Sequence, residues 1–342
     1  METLRIAVFG CGFWSRYQIP AWLELPDVEC IAACDVDPNK TRVISDRFGV
    51  PMRFDNPEEL FRTVRPDVVD IITSPATHSP LVELAAQHRV PVICQKPMAN
   101  DFETAQRMVR VCQTAGISFF VHENWRWQRP IREVKNILDS GRIGTAFRAR
   151  IDFNTSFPAF DNQPFLRELD RFAMSDMGSH IFDVARFLFG EARTLTAQVH
   201  RVNPTIRGED VATVLLKMEN GMSVICNLSF ASRLSFERFP ETFILIEADR
   251  GSIELAPDFW IRTTLEEGIT SRRYPPPTYS WADPDYALVH ASIVDCHRNL
   301  AAELRGTGRA ETTAADNLRT LQLVFAGYES AHLNQTLPIE AV

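Results

Sequence analysis

Apolar runs alternate with amphipathic stretches through the first third of the chain. Residues 4–9 (LRIAVF), 28–34 (VECIAAC), 68–72 (VVDII), 91–94 (PVIC) and 117–121 (ISFFV) are almost wholly apolar, the pattern of strands buried on both faces of a parallel sheet. Between them lie helical patterns. Residues 39–48 end at Gly49, residues 78–88 lead into the fourth run, and residues 101–115 open on Asp101, a good N-cap, and stop at Gly116. This alternation predicts a doubly wound α/β domain over residues 1–122.

From about residue 145 the pattern changes. Residues 146–157, 194–202, 211–218, 222–232 and 242–255 read as strands, and "ENG" (219–221) and "DRG" (249–251) as turns between paired runs. An α+β domain over residues 123–342 is expected, with an open, predominantly antiparallel sheet. Residues 175–190 (SDMGSHIFDVARFLFG) read as one helix that sets Asp176, His180 and Asp183 on a common face. Asp183 reads as structural, paired with an arginine. A last helix over 314–333 is expected to pack back on the first domain.

The junction after the first strand carries the first chemistry. Gly10-x-Gly12 stands where that strand turns into a helix, within "FGCGFW" (9–14). In this context two glycines permit the tight turn and let the backbone approach a pyrophosphate at the helix N-terminus. Ser15 takes the third fingerprint position, where Gly or Ala is usual, and Pro20 is expected to kink or shorten the helix. Asp35 closes the second strand 23 residues after Gly12, the place of the carboxylate that binds the adenosine ribose. A carboxylate there repels a 2′-phosphate, so NAD is expected over NADP; the neighbouring Asp37 serves as helix cap. Ligands of open α/β sheets bind beyond the carboxyl ends of the strands. Those ends carry Ser74, Pro75 and His78 after the third run, and Gln95 and Lys96 after the fourth. Lys96 is one of four lysines in the chain and precedes a proline, which keeps the dipeptide extended.

Composition narrows the partners. The chain has 342 residues, 45% hydrophobic and 23% charged, with a formal net charge of −8. That is a two-domain globular profile without the basic surface of a nucleic-acid binder. No apolar run is long enough for a membrane helix, and the N-terminus enters a strand without the features of a targeting segment. Seven scattered cysteines form no CxxC pair; they read as buried reduced thiols of a cytoplasmic protein, and no structural metal is expected.

Taken together, "GCGFWS" (10–15), "SPATH" (74–78), "QKP" (95–97), Asn124 in "HENWRW", "DSGRIG" (139–144) and Asp176-x-Gly178-x-His180 resemble the Gfo/Idh/MocA oxidoreductase family over essentially the whole chain. Gln95 departs from the family's usual Glu, which removes a negative charge beside Lys96. The resemblance implies NAD-dependent oxidation of a sugar or polyol hydroxyl, with Lys96, Asp176 and His180 catalytic. It places the cofactor on Gly10, Gly12, Phe13, Trp14, Asp35, Ser74, Pro75, His78, Gln95, Lys96 and Asn124. It places the substrate on Lys96, Asn124, Trp127, Gln163, Asp176 and His180. It also implies homo-oligomers formed through the C-terminal sheet. The start "GFWSRYQIPAW" and "QKP" are similar to a branch that oxidises a branched aldopentose to its lactone. An inositol-type polyol dehydrogenase, an NAD-dependent glycosidase and a non-catalytic NAD sensor are the alternatives.

Overall fold

The protein, seen in a computed structural model that describes residues 3–340, divides into two compact units. The first holds the chain up to Asn124 together with Tyr279–Asp283 and Ile293–Leu318. The second holds Trp125–Thr278, Pro284–Ser292 and the chain from Arg319.

Six parallel strands build the first unit: β1 (Leu4–Phe9), β2 (Val28–Cys34), β3 (Met52–Phe54), β4 (Val68–Ile71), β5 (Val92–Gln95) and β6 (Phe119–His122), in the order β3-β2-β1-β4-β5-β6. This is the doubly wound order in which the connection reverses beside β1, and it makes the carboxyl ends of β1 and β4 the binding edge. The linking helices are α1 (Ser15–Leu23), α2 (Pro38–Phe48), α3 (Pro57–Thr63), α4 (His78–Gln87) and α5 (Phe102–Ala115). Their ends obey local chemistry. Asp37 and Asp101 cap α2 and α5 by accepting from Asn39 N and Thr104 N, and Gly49 and Gly116 end them in the left-handed region. Pro20 lies inside α1, which runs for only 9 residues.

Trp22 on α1 is fully buried, donates from Nε1 to Asp70 Oδ2 at 2.8 Å, and lies flat on the His297 ring at 3.7 Å and 8°. Burial pushes the Asp70 carboxyl up to about 7, against the hydrogen bond from Trp22. A carboxyl whose pKa is raised on folding favours the folded state most below its unfolded pKa, and that advantage drains as pH rises through the folded value. Stability is therefore expected to fall between about pH 4 and 7, by up to about 1.4 kcal/mol per pH unit. Asp70→Asn keeps an acceptor for Trp22 and should flatten the slope. Melting temperature against pH tests this; parallel curves for the two proteins would remove Asp70 as the cause.

The second unit opens with α6 (Arg129–Asp139) and β7 (Ala146–Asn154), followed by three helices: α7 (Ala159–Asn162), α8 (Ala173–Asp176) and α9 (Gly178–Phe189). The remaining strands are β8 (Ala192–His200), β9 (Val211–Met218), β10 (Ser223–Ser229), β11 (Phe243–Ala248), β12 (Gly251–Ala256), β13 (Trp260–Leu265) and β14 (Gly268–Arg273). The chain then runs through α10 (Ala287–Leu304) and α11 (Ala314–Leu333) to β15 (Leu337–Pro338). The sheet order is β14-β13-β12-β11-β7-β10-β9-β8-β15, open at both edges. Every pairing is antiparallel except β7 with β10. β9 alternates buried and exposed positions along its length, as a strand with one solvated face does. Helices α6, α8 and α9 cover the other face.

Two expectations need correction. The helix expected over 314–333 to pack back on the first domain is shared: Ala314–Leu318 falls in the first unit, and from Arg319 onward the helix belongs to the second. Ser330 Oγ accepts from Ala197 N at 2.9 Å, and Thr320 Oγ1 accepts from Arg186 at 2.7 Å. The segment just before the helix also belongs to the first unit: Val121 N donates to Thr312 O at 2.9 Å, extending the sheet past β6. The helix read over 175–190 is also two helices, α8 and α9, which meet at Met177 (φ −95°, ψ −27°). Bonds from Met177 N to Ala173 O (2.9 Å) and from Ile181 N to Met177 O (3.1 Å) carry the helical pattern across the junction.

Candidate active site

The glycine turn after β1 has the shape its sequence implies. Gly10 has φ +96°, and a Cβ there would sit 2.9 Å from the Ile72 backbone, so this position requires glycine. At Gly12 a Cβ would meet nothing within 4 Å, which is room for a ligand against the main chain. Ser15 is fully buried and its hydroxyl donates to Gly12 O at 2.7 Å. That bond ties the turn to α1 and explains a Ser where Gly or Ala is usual. Trp14 occupies the N-cap position of α1, and its side chain makes no cap to the helix amides. Phe13 and Trp14 pack edge to face at 5.2 Å, and Phe13 packs on Tyr17 at 5.4 Å.

Asp35 joins the end of β2 to this turn. Its Oδ2 accepts from Cys11 N at 2.8 Å and its Oδ1 from Asp37 N at 2.9 Å. An ionised carboxylate has about four acceptor sites, so it retains capacity for two ribose hydroxyls. Open space at Gly12, a helix N-terminus with no side-chain cap and a carboxylate fixed beside the turn together fit NAD.

The next two strand ends are linked to each other. Ser74 precedes a single helical turn, Pro75–Thr77, and Thr77 Oγ1 donates to Ser74 O at 2.9 Å. His78 is fully buried, with Nδ1 facing Met98 O at 3.2 Å and Nε2 facing Thr73 O at 3.1 Å. Both nitrogens face main-chain carbonyls, and a neutral imidazole donates to only one of them at a time. His78 clamps the loop after β4 to the loop after β5. Its imidazole is held below the usual histidine range by burial, against the backbone contacts. Gln95 Oε1 accepts from Lys96 N at 2.8 Å, which fixes the main chain from which the Lys96 side chain departs. Lys96 is half-buried, and Asn124, two residues past β6, is buried.

Lys96 belongs to the first unit; Asp176 and His180 belong to the second. His180 is 4% exposed on α9 and stacks on Trp125 at 4.4 Å and 22°. Trp125 is in turn anchored from Nε1 to Thr242 Oγ1 at 2.9 Å. The neighbouring Arg126 forms a two-pronged pair with Asp183, Nε to Oδ2 at 2.7 Å and Nη2 to Oδ1 at 2.5 Å, both residues buried. Bidentate pairs of this kind fix geometry as well as charge. Here the pair locks the Trp125–Trp127 turn onto α9 and so holds the indole over His180. The structural reading of Asp183 is what the fold uses.

Trp127 was expected on the substrate, but the Arg132 guanidinium covers its ring at 4.3 Å. Trp125 is the aromatic that reaches the imidazole. The segment 157–165 likewise spends its rings on packing: Phe157 stacks on Phe239 at 4.0 Å, and Phe160 lies against Phe172 at 5.2 Å. Gln163 remains half-buried at the start of the helical turn Pro164–Glu168. Among the described residues no group of three or more His, Cys, Asp or Glu is arranged to hold a metal ion. No helix among them is long and apolar enough to cross a membrane.

Comparison with known proteins agrees with this geometry. The model of an oxidoreductase family with an NAD-binding Rossmann fold, GFO/IDH/MocA, matches residues 4–123, and the GFO/IDH/MocA C-terminal domain matches residues 131–254. The chain is 42% identical to a D-apiose dehydrogenase of Rhizobium rhizogenes, over 100% of this chain and 99% of that one. It is 39% identical to a D-apiose dehydrogenase of Paraburkholderia graminis, over 100% of this chain and 91% of that one. Among solved structures, an oxidoreductase from Agrobacterium radiobacter in complex with NAD+, L-tartaric acid and magnesium superposes with a TM-score of 0.96. It shares 42% identity, over 98% of both chains.

Proposed function

The chain belongs to the Gfo/Idh/MocA family of NAD-dependent oxidoreductases, and on that premise we propose that it oxidises D-apiose to the corresponding lactone. The observation that carries the substrate is likeness to two D-apiose dehydrogenases along the entire chain. NAD, held at the glycine turn, accepts the hydride from the substrate C–H bond. His180 takes the proton of the hydroxyl on the same carbon, as an imidazole can near neutral pH. Asp176 orients that imidazole. Lys96 donates a hydrogen bond to the reacting oxygen and stabilises the negative charge that grows as the proton leaves. Asn124 and Gln163 hold further hydroxyls.

Purified protein with NAD, offered D-apiose, other aldoses, inositols and aryl glycosides, tests the reading through NADH absorbance and product analysis. D-Apiose is expected to give the highest kcat/KM and a lactone product. Preference for an inositol, or glycoside release without NADH, would replace this substrate assignment.

Association of copies through the solvated face of the second sheet is part of the same proposal. That face carries ion pairs such as Arg148–Glu247 at 2.6 Å and, on β9, the exposed Leu215. Light scattering of the purified chain is expected to give a multiple of the 38.8 kDa chain mass. We place the protein in the cytoplasm, since its seven cysteines are buried free thiols suited to a reducing compartment.

A further inference from the structure

Asp176 ends a helix of a single turn, and that turn is gripped by two residues far from it in sequence. Four consecutive amides lead into it. Phe172 N donates to Glu209 Oε2 at 3.1 Å, Ala173 N to the Glu209 main-chain oxygen at 3.1 Å, and Met174 N to Glu209 Oε1 at 2.9 Å. The fourth, Ser175 N, donates to the Tyr328 hydroxyl at 3.0 Å, and that hydroxyl donates to Glu209 Oε1 at 2.7 Å. Only then does the ordinary helical pattern begin, with Asp176 N on Phe172 O at 2.8 Å.

The first turn of a helix always leaves such amides without intrahelical partners. One side-chain cap usually meets one or two of them. Here all four close on one glutamate and one tyrosine. A carboxylate is also the best charge for this end of a helix, and Glu209 is buried. The α11 backbone presses on the same turn: a Cβ at Gly327 would lie 2.6 Å from Met174 Sδ. Burial of Phe172, Ala173 and Met174 already secures the apolar side of this segment. What the polar grip adds is a fixed rotation and height for the residue that follows, Asp176.

We propose that Glu209 and Tyr328 are positioning residues for catalysis, which set the 172–175 turn so that Asp176 is delivered in the orientation its partnership with His180 requires. The proposal rests on the catalytic reading of Asp176 and His180 given above. Neither residue touches the reacting atoms; each acts through the main chain beneath Asp176. A displacement of about 1 Å in a catalytic group costs up to about 10²-fold in rate. Tyr328→Phe removes the acceptor of Ser175 N and the donor to Glu209 while keeping the ring. Glu209→Gln keeps the shape and drops the charge.

The test is a double-mutant cycle in the full-length enzyme with D-apiose and NAD, with NAD affinity measured by direct titration and folding by melting temperature. Tyr328→Phe and Glu209→Gln are each expected to lower kcat about 10- to 10²-fold and to leave NAD affinity unchanged. In an Asp176→Ala background the same substitutions should cost no further kcat, because groups that act as a unit do not add. Equal losses in both backgrounds, or unchanged kcat in the parent, would overturn the positioning role. Should Glu209→Gln fail to fold, Tyr328→Phe alone decides the matter. Wild-type turnover by Asp176→Ala itself gives a different pattern: it removes the catalytic reading of Asp176, and the positioning role with it.

Discussion

Lys96→Met is expected to lower kcat by about 10²–10⁴-fold, and His180→Ala by a similar factor, the usual contribution of a positioned acid or base. The structure makes Lys96→Met a clean experiment. The main chain at Lys96 is fixed by Gln95 Oε1, and the loop beyond it by His78. Methionine keeps an unbranched side chain that ends at the atom bearing the ammonium in lysine, so the loss isolates that group. His180 needs more care, because its ring is buried against Trp125. His180→Gln keeps bulk under the indole and separates lost chemistry from lost packing. NAD affinity should change little in all three variants, since the glycine turn and Asp35 lie elsewhere in the chain. Asp176→Asn should cost less than His180→Ala, because orientation is its only task. The Lys96 and His180 losses should fall short of adding in the double variant. Titrations of NAD beside steady-state kinetics check each statement. Near-wild-type turnover in Lys96→Met or His180→Ala removes the proposed mechanism and leaves the fold and cofactor assignments standing.

Much of the first unit was legible in the sequence for a simple reason. Strands covered on both faces are apolar throughout, so β1 and β2 announce themselves and the glycines between β1 and α1 acquire a context. The same rule hides β14, whose six residues are all exposed and show no alternation. It also hides β3, which is too short to show a period. At the site, sequence identifies residue type and misses direction. His78 reads as a cofactor contact, and nothing in the sequence shows its nitrogens facing Met98 O, supplied by another loop, and Thr73 O. Trp125 and Trp127 share one helical turn, and only the position of Arg132 reveals which ring is covered. Glu209 lies in "RGED", between the strand-like runs 194–202 and 211–218. Its partners are 35 to 119 residues away, beyond any local pattern.

Asp35→Ala should lower kcat/KM for NAD by at least about 10²-fold, because the ribose contact and the shape of the turn are lost together. The carboxylate does two things at once. It offers acceptors to the ribose, and it holds Cys11 N and Asp37 N, so it fixes the glycine turn that receives the phosphates. Hydrogen bonds to a charged group are each worth about 1.5–3 kcal/mol, and about 1.4 kcal/mol is tenfold in affinity. The same double duty limits what NADP can gain. Removing the charge ends repulsion of a 2′-phosphate, but the alanine variant also loosens the turn that both cofactors need. Asp35→Asn separates the two effects, because its amide oxygen keeps an acceptor for one of the two amides while the charge is gone. It should therefore lose less NAD activity than Asp35→Ala and narrow the preference for NAD over NADP further. Values of kcat/KM for both cofactors, with direct binding titrations of each, distinguish these outcomes. If the parent enzyme used NADP as well as NAD, the ribose role of Asp35 would be wrong. If Asp35→Ala bound NAD normally, the bonds from Cys11 and Asp37 would be incidental to cofactor binding.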